Sequence, residues 1–168
     1  MKRMVFSILV DNTAGVLSRV SGLFSRRGYN IDSLTVGETE NPAISRMTVL
    51  AHGDDQILDQ IRKQLIKLED VIEIIELEPG ESVTRELILV KVSAPEKDRQ
   101  AIISIADIFR AKIVDVAPES LIIELTGSQE KLDAFIKLLE PYTIRELVRT
   151  GITGLTRGFG DISDYIED

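Results

Sequence analysis

Apolar residues along this chain alternate between a strand pattern and a helix pattern in the order βαββαβ, and then repeat that order once more. In the first pass, Met4 to Asp11, Ile31 to Gly37, Ile44 to Ala51 and Val71 to Leu77 are short β-branched or alternating runs that read as strands. Val16, Leu17, Val20, Leu23 and Phe24 fall on one face of a helix, which Gly28 after Arg26 and Arg27 closes. Ile57, Leu58, Ile61, Leu65 and Leu68 make a second helical stripe, opened by Asp54 and Asp55. Pro79-Gly80 is a turn signal, and beyond it the order returns. Thr84 to Val92, Ile113 to Val116, Leu121 to Thr126 and Ile144 to Arg149 read as strands, with helical stripes at Ile102, Ile103, Ala106, Phe109 and at Leu132, Phe135, Ile136, Leu139. Two consecutive units of this kind predict an α+β chain of two ferredoxin-like βαββαβ domains, each an antiparallel sheet with both helices on one face. The expected boundaries are a first domain over residues 1–78, a linker over 79–83 and a second domain over 84–168.

The second domain is expected to end in a tail from Gly151, with Gly154, Gly158, Gly160 and an acidic stretch from Asp161 to Asp168. Its weak periodicity predicts an irregular, disordered or docking segment.

Composition narrows the functions open to such a chain. Its 168 residues, 43% hydrophobic and 29% charged, suit compact cores, and a net charge of −8 disfavours nucleic acid and anionic membrane surfaces. Aromatics are only 5%, too few for base stacking on a sheet. There is no cysteine and one histidine, His52, which rules out thiolate chemistry and any site needing two imidazoles from one chain. His52 reads as a surface or turn residue. The apolar run Met4 to Val10 is too short for a membrane span or a signal sequence, so the expected location is the cytoplasm. Neither G-x-x-x-x-G-K-[ST] nor G-x-G-x-x-G occurs, and no nucleophile–base pair or metal-ligand spacing is visible. The residues therefore predict neither a catalytic nor a metal site.

The most informative stretch is Asp11-Asn12-Thr13-Ala14-Gly15-Val16-Leu17, where the first strand gives way to the first helix. Unpaired N–H groups and the positive end of a helix dipole meet there, which suits a small carboxylate. Asn12 offers a carbonyl to an ammonium and an amide N–H to a carboxylate, so an amino acid fits both ends. The competing reading is that Asn12 and Thr13 cap the helix and Gly15 serves close packing.

These same residues, Val5 to Asp11, Asn12 to Gly15 and Val16-Leu17-Ser18-Arg19-Val20, resemble the ACT domain, a regulatory amino-acid-binding module. Arg27 to Gly37, Ser45-Arg46-Met47-Thr48, Leu89 to Val92, Ile108 to Val116 and Gly154-Leu155-Thr156-Arg157-Gly158 extend the likeness over nearly the whole chain. Together they resemble the small regulatory subunits of acetolactate synthase, also called acetohydroxyacid synthase.

The resemblance implies a non-catalytic partner of the large catalytic subunit, which it activates and makes sensitive to feedback by valine in branched-chain amino acid synthesis. Thiamine diphosphate and magnesium, and often FAD, would belong to that catalytic partner, with no cofactor in this chain. It also implies a homodimer through ACT domains, with the effector between them. One protomer would supply Asn12, Thr13, Ala14, Gly15, Val16 and Leu17, the other Asn30 and Ile31. Arg157 is the expected charged anchor for docking on the large subunit. The alternative is a free-standing ACT-type sensor acting on another enzyme or as a transcription regulator, which the charge and the lack of a helix-turn-helix disfavour.

Overall fold

The computed structural model describes residues 2–166. The elements are β1 (Lys2–Asp11), α1 (Val16–Arg27), β2 (Asn30–Glu38), β3 (Ile44–Gly53), α2 (Asp55–Leu65) and β4 (Val71–Glu76), followed by β5 (Ser82–Ser93), α3 (Glu96–Ile108), β6 (Lys112–Ala117), β7 (Ser120–Gly127), α4 (Gln129–Leu139), β8 (Ile144–Arg149) and β9 (Thr153–Thr156). Both βαββαβ orders are present. The first sheet has strand order β2-β3-β1-β4 and the second β6-β7-β5-β8, all antiparallel.

The alternation expected of a half-covered sheet decides which residues make each core. In β1, Phe6, Ile8 and Val10 pack with Val20 and Phe24 of α1 and Leu58, Ile61 and Leu65 of α2. The α2 stripe starts where Asp54 accepts the Ile57 N–H at 2.8 Å, a side-chain cap. In the second unit Ile88, Val90 and Val92 of β5 pack with Ile102, Ala106, Leu132 and Phe135, and Phe135 also meets Phe109 at a ring separation of 5.2 Å. Glu86 is buried there, accepting from Arg149 Nε at 2.9 Å, while Arg149 Nη1 reaches Asp133 at 2.9 Å.

The tail differs from the expectation. The chain divides into one unit of residues 1–84 plus 152–168 and another of residues 85–151, so the tail groups with the first domain rather than the second. Gly154 of β9 approaches the leading end of β5 so closely that a Cβ there would stand 2.5 Å from the Val83 carbonyl oxygen. Only glycine permits that backbone approach. Ile152 then meets Ser33 and Thr35 of β2 through its N–H and carbonyl, and a short 3₁₀ turn at Ile162–Asp164 follows. Ile162 is buried in a small cluster with Leu9 and Ile44, on the sheet face opposite the helices. Covering one isoleucine in this way contributes about 1.5–3 kcal/mol, enough to offset the ordering of a short segment only in part. The acidic end expected from Asp161 onward is described as far as Ile166; Glu167 and Asp168 lie outside the described residues.

Candidate functional site

Helix α1 begins without a side-chain cap. Its N-cap is Gly15, at φ 87°, and neither Asn12 nor Thr13 bonds to the helix N-terminus. The capping alternative for those residues is therefore not what the loop does, and the first N–H groups of α1 keep no intrahelical partner.

Asn12 instead ties the loop to the turn between β2 and β3. Its Nδ2 donates to the Pro42 carbonyl at 2.8 Å and to the Glu38 carboxylate at 3.3 Å, while its backbone N–H donates to Ala43 at 2.8 Å. This corrects one expected role: the Asn12 side-chain N–H groups are engaged within the chain rather than free for a carboxylate. Thr13 N–H closes a local turn onto Asp11 at 2.9 Å. Ala14, Gly15 and Leu17 are exposed, whereas the Val16 side chain is buried in the first core and offers only its backbone N–H.

Over Gly15 lies Arg19, one helical turn on, whose side chain runs back toward the N-terminus as helical geometry requires. Its guanidinium is paired with Asp70, and that hydrogen bond raises the Arg19 pKa above its usual value. Asp70 in turn accepts the Asp11 N–H on its backbone oxygen at 2.9 Å. The sequence reading missed Arg19, Glu38 and Pro42; only the four-residue step from Gly15 to Arg19 signals any of them in the sequence.

Asn30 and Ile31 are not brought to this loop. Asn30 pairs with His52, which pairs with Arg3, so Asn30 is level with the start of β1. Nine residues of β1 separate that level from Asn12, roughly 30 Å at the rise of a strand. Asn30 is exposed at that end, and Ile31 is half-buried against the core. His52 beside it is half-buried, with Nδ1 at 2.9 and 3.0 Å from the Asp32 carboxylate oxygens. It is thus a paired residue of the sheet. No group of three or more side chains suited to a metal occurs among the described residues.

Arg157 is exposed, with its backbone N–H on the Glu81 carbonyl at 2.9 Å, beside a cleft shared with Glu76, Glu78 and Glu81. No helix among the described residues is long and apolar enough to cross a membrane.

Two family descriptions match the two halves of the chain: an acetohydroxyacid synthase small subunit-like ACT domain over residues 6–73, and the small subunit of acetolactate synthase over residues 85–158. The chain belongs to the acetolactate synthase small-subunit family. A probable acetolactate synthase small subunit of Methanothermobacter thermautotrophicus is 55% identical over 155 residues, covering 92% of each chain. The acetolactate synthase small subunit of Mycolicibacterium smegmatis is 53% identical over 90% of this chain and 89% of its own. Among solved structures, the acetolactate synthase small subunit of Thermotoga maritima is similar at a TM-score of 0.87 and 42% identity, covering 95% of this chain and all of that one. The match beyond residue 151 includes β9, so the segment that returns to the first unit falls within the family description of the second half.

Proposed function

We propose that the chain is a regulatory subunit that activates a thiamine-diphosphate-dependent acetolactate synthase catalytic subunit and makes it sensitive to valine. Membership of the small-subunit family supports the choice of partner, and its coverage of both domains disfavours a free-standing sensor. In this reading thiamine diphosphate, magnesium and often FAD are held by the catalytic subunit.

The observation that carries the effector site is the α1 N-terminus at Gly15, which has no side-chain cap, in the loop that also carries Asn12. The N–H groups of Val16 and Leu17 receive the valine carboxylate, favoured by the helix dipole. The Asn12 carbonyl accepts from the ammonium, and exposed Ala14 and Leu17 border the isopropyl group.

The distance from Asn12 to Asn30 is closed by a second copy. β2 is an edge strand, and a two-fold dimer pairing β2 with β2 runs them antiparallel. Asn30 then meets the far end of β2 in the partner, where Glu38 of the partner subunit is tied to its Asn12. A ligand held by both protomers favours one quaternary arrangement, and feedback needs only that the activating and inhibited arrangements differ in valine affinity, typically by 1–3 kcal/mol. Acetolactate formation by the catalytic subunit, with and without this chain and across a valine titration, tests the reading. It fails if this chain alters neither rate nor valine response.

A further inference from the structure

The face of the first sheet opposite its helices carries a feature that valine binding at α1 does not use. Between that face and the returning tail lies a cleft of about 240 Å³. Sites for drug-sized ligands run to roughly 300–1,000 Å³, so this one suits a smaller molecule. Its apolar lining comes from Ile75 and Leu77 at β4 and from Ile162 and Tyr165 in the tail.

Arg46 enters the cleft from β3. Its Nη1 donates to Ser7 Oγ at 2.6 Å, and Ser7 is fully buried, so the guanidinium is held by one edge. Among the described residues Arg46 takes part in no ion pair, and neither does Glu40 on the rim. A half-buried guanidinium with spare N–H groups and no ion-pair partner among the described residues is a receptor for a carboxylate. Asp161, also on the rim, is kept ionised by hydrogen bonds from Ser163, which hold its carboxyl below the usual range. A plain anion meets two repelling carboxylates here, and a plain cation meets Arg46. A molecule bearing both charges next to a short apolar group satisfies every wall.

We propose that this cleft is a second small-molecule site, taking an aliphatic α-amino acid with its carboxylate on Arg46, its ammonium toward Glu40 and Asp161, and its side chain against Ile75 and Leu77. The site is separate from the α1 loop and does not depend on the effector reading. Glycines report on the two places separately: Gly158 and Gly160 line the cleft, and Gly15 marks the loop.

The test is a titration of the full chain with L-valine, followed by ¹H–¹⁵N spectra of those glycine amides. The expected result is a saturable shift of Gly158 and Gly160 in the unaltered chain and in Asn12→Ala alike. Arg46→Lys keeps a donor for Ser7 but loses the planar fork, and Glu40→Gln changes an exposed charge without touching the core. Each should raise the half-saturation point at Gly158 by about tenfold. Replacing valine with 3-methyl-2-oxobutanoate, which lacks the ammonium, should weaken the response likewise. No shift at Gly158 and Gly160, equal saturation by the oxo acid, or loss of the shift in Asn12→Ala would each overturn the proposal. A response at Gly15 alone would overturn it while leaving the α1 site standing.

Discussion

The Arg19 guanidinium lies 2.9 Å from the point where a Cβ on Gly15 would stand, so residue 15 is confined both by its own backbone and by a cation. The backbone, at φ 87°, disfavours any L side chain by about 1–2 kcal/mol, and the guanidinium must swing away from Asp70 to admit one. The helix N-terminus thereby carries no side-chain cap.

Gly15→Asp should therefore abolish valine inhibition, and the cause is more specific than added bulk. The new carboxylate meets Arg19, draws it from Asp70, and occupies the place the valine carboxylate needs. Gly15→Ala should weaken inhibition less. Both variants should still stimulate the catalytic subunit, checked by acetolactate assays with and without valine; equal valine sensitivity in Gly15→Asp would remove the loop from the effector site.

Asn12→Ala should lower apparent valine affinity by about 1–3 kcal/mol, because it removes the carbonyl that meets the ammonium and frees the loop from Pro42. Calorimetric titration reads this directly. Thr13→Val, which keeps the local backbone turn, should change little; a larger effect at Thr13 than at Asn12 would contradict the assignment.

The fold was legible in the sequence, for definable reasons. The two βαββαβ orders follow from periodicity because each strand and helix is long enough to show which face is apolar. The tail was not legible, since Ile162 is a lone apolar residue among glycines and acids whose burial depends on Leu9 and Ile44, far away in sequence. That the Asn12 Nδ2 is engaged depends on the Pro42 carbonyl, and no spacing rule relates those two positions. Nor does sequence reveal that Asn12 and Asn30 lie at opposite ends of one sheet; that follows from the register of β1, β2 and β3.

At the second unit, Arg149→Met should destabilise the fold by about 2–4 kcal/mol, since it leaves the carboxylate of Glu86, only 3% exposed, buried without its cation. Restoring neutrality with Glu86→Gln in the same chain should recover part of the loss. Thermal unfolding followed by circular dichroism checks both, and a double variant no more stable than Arg149→Met would count against burial of an unpaired charge as the cause.

If the tail docks on the catalytic subunit, Phe159, which is fully exposed, should be a stronger anchor than Arg157, which stands beside three glutamates. Phe159→Ser should raise the concentration of this chain needed for half-maximal stimulation by about tenfold, the usual size of effect when an aromatic contact is lost. Arg157→Ala should shift it less. Ile162→Ala, by contrast, should act through stability, because it uncovers Leu9 and Ile44. An unchanged half-maximal concentration in Phe159→Ser would make the tail loop a bystander.

Dimerisation through β2 predicts that Val36→Lys, a charge on an exposed edge position, halves the mass seen by light scattering and removes valine inhibition together. A monomer that stays fully valine-sensitive would contradict a shared site.

The most direct test of that shared site is complementation. Asn12→Ala and Asn30→Ala chains are each reconstituted with the catalytic subunit, then mixed, allowed to exchange protomers and assayed across a valine titration. Each variant alone carries a defect in both sites of its dimer, so each should need far more valine for the same inhibition and stay insensitive at concentrations that inhibit the unaltered complex. A mixed dimer gathers both defects into one site and leaves the other intact, so a valine-sensitive fraction should appear on mixing. If exchange is complete and the mixture stays as insensitive as either variant, the effector is not held between Asn12 of one protomer and Asn30 of the other.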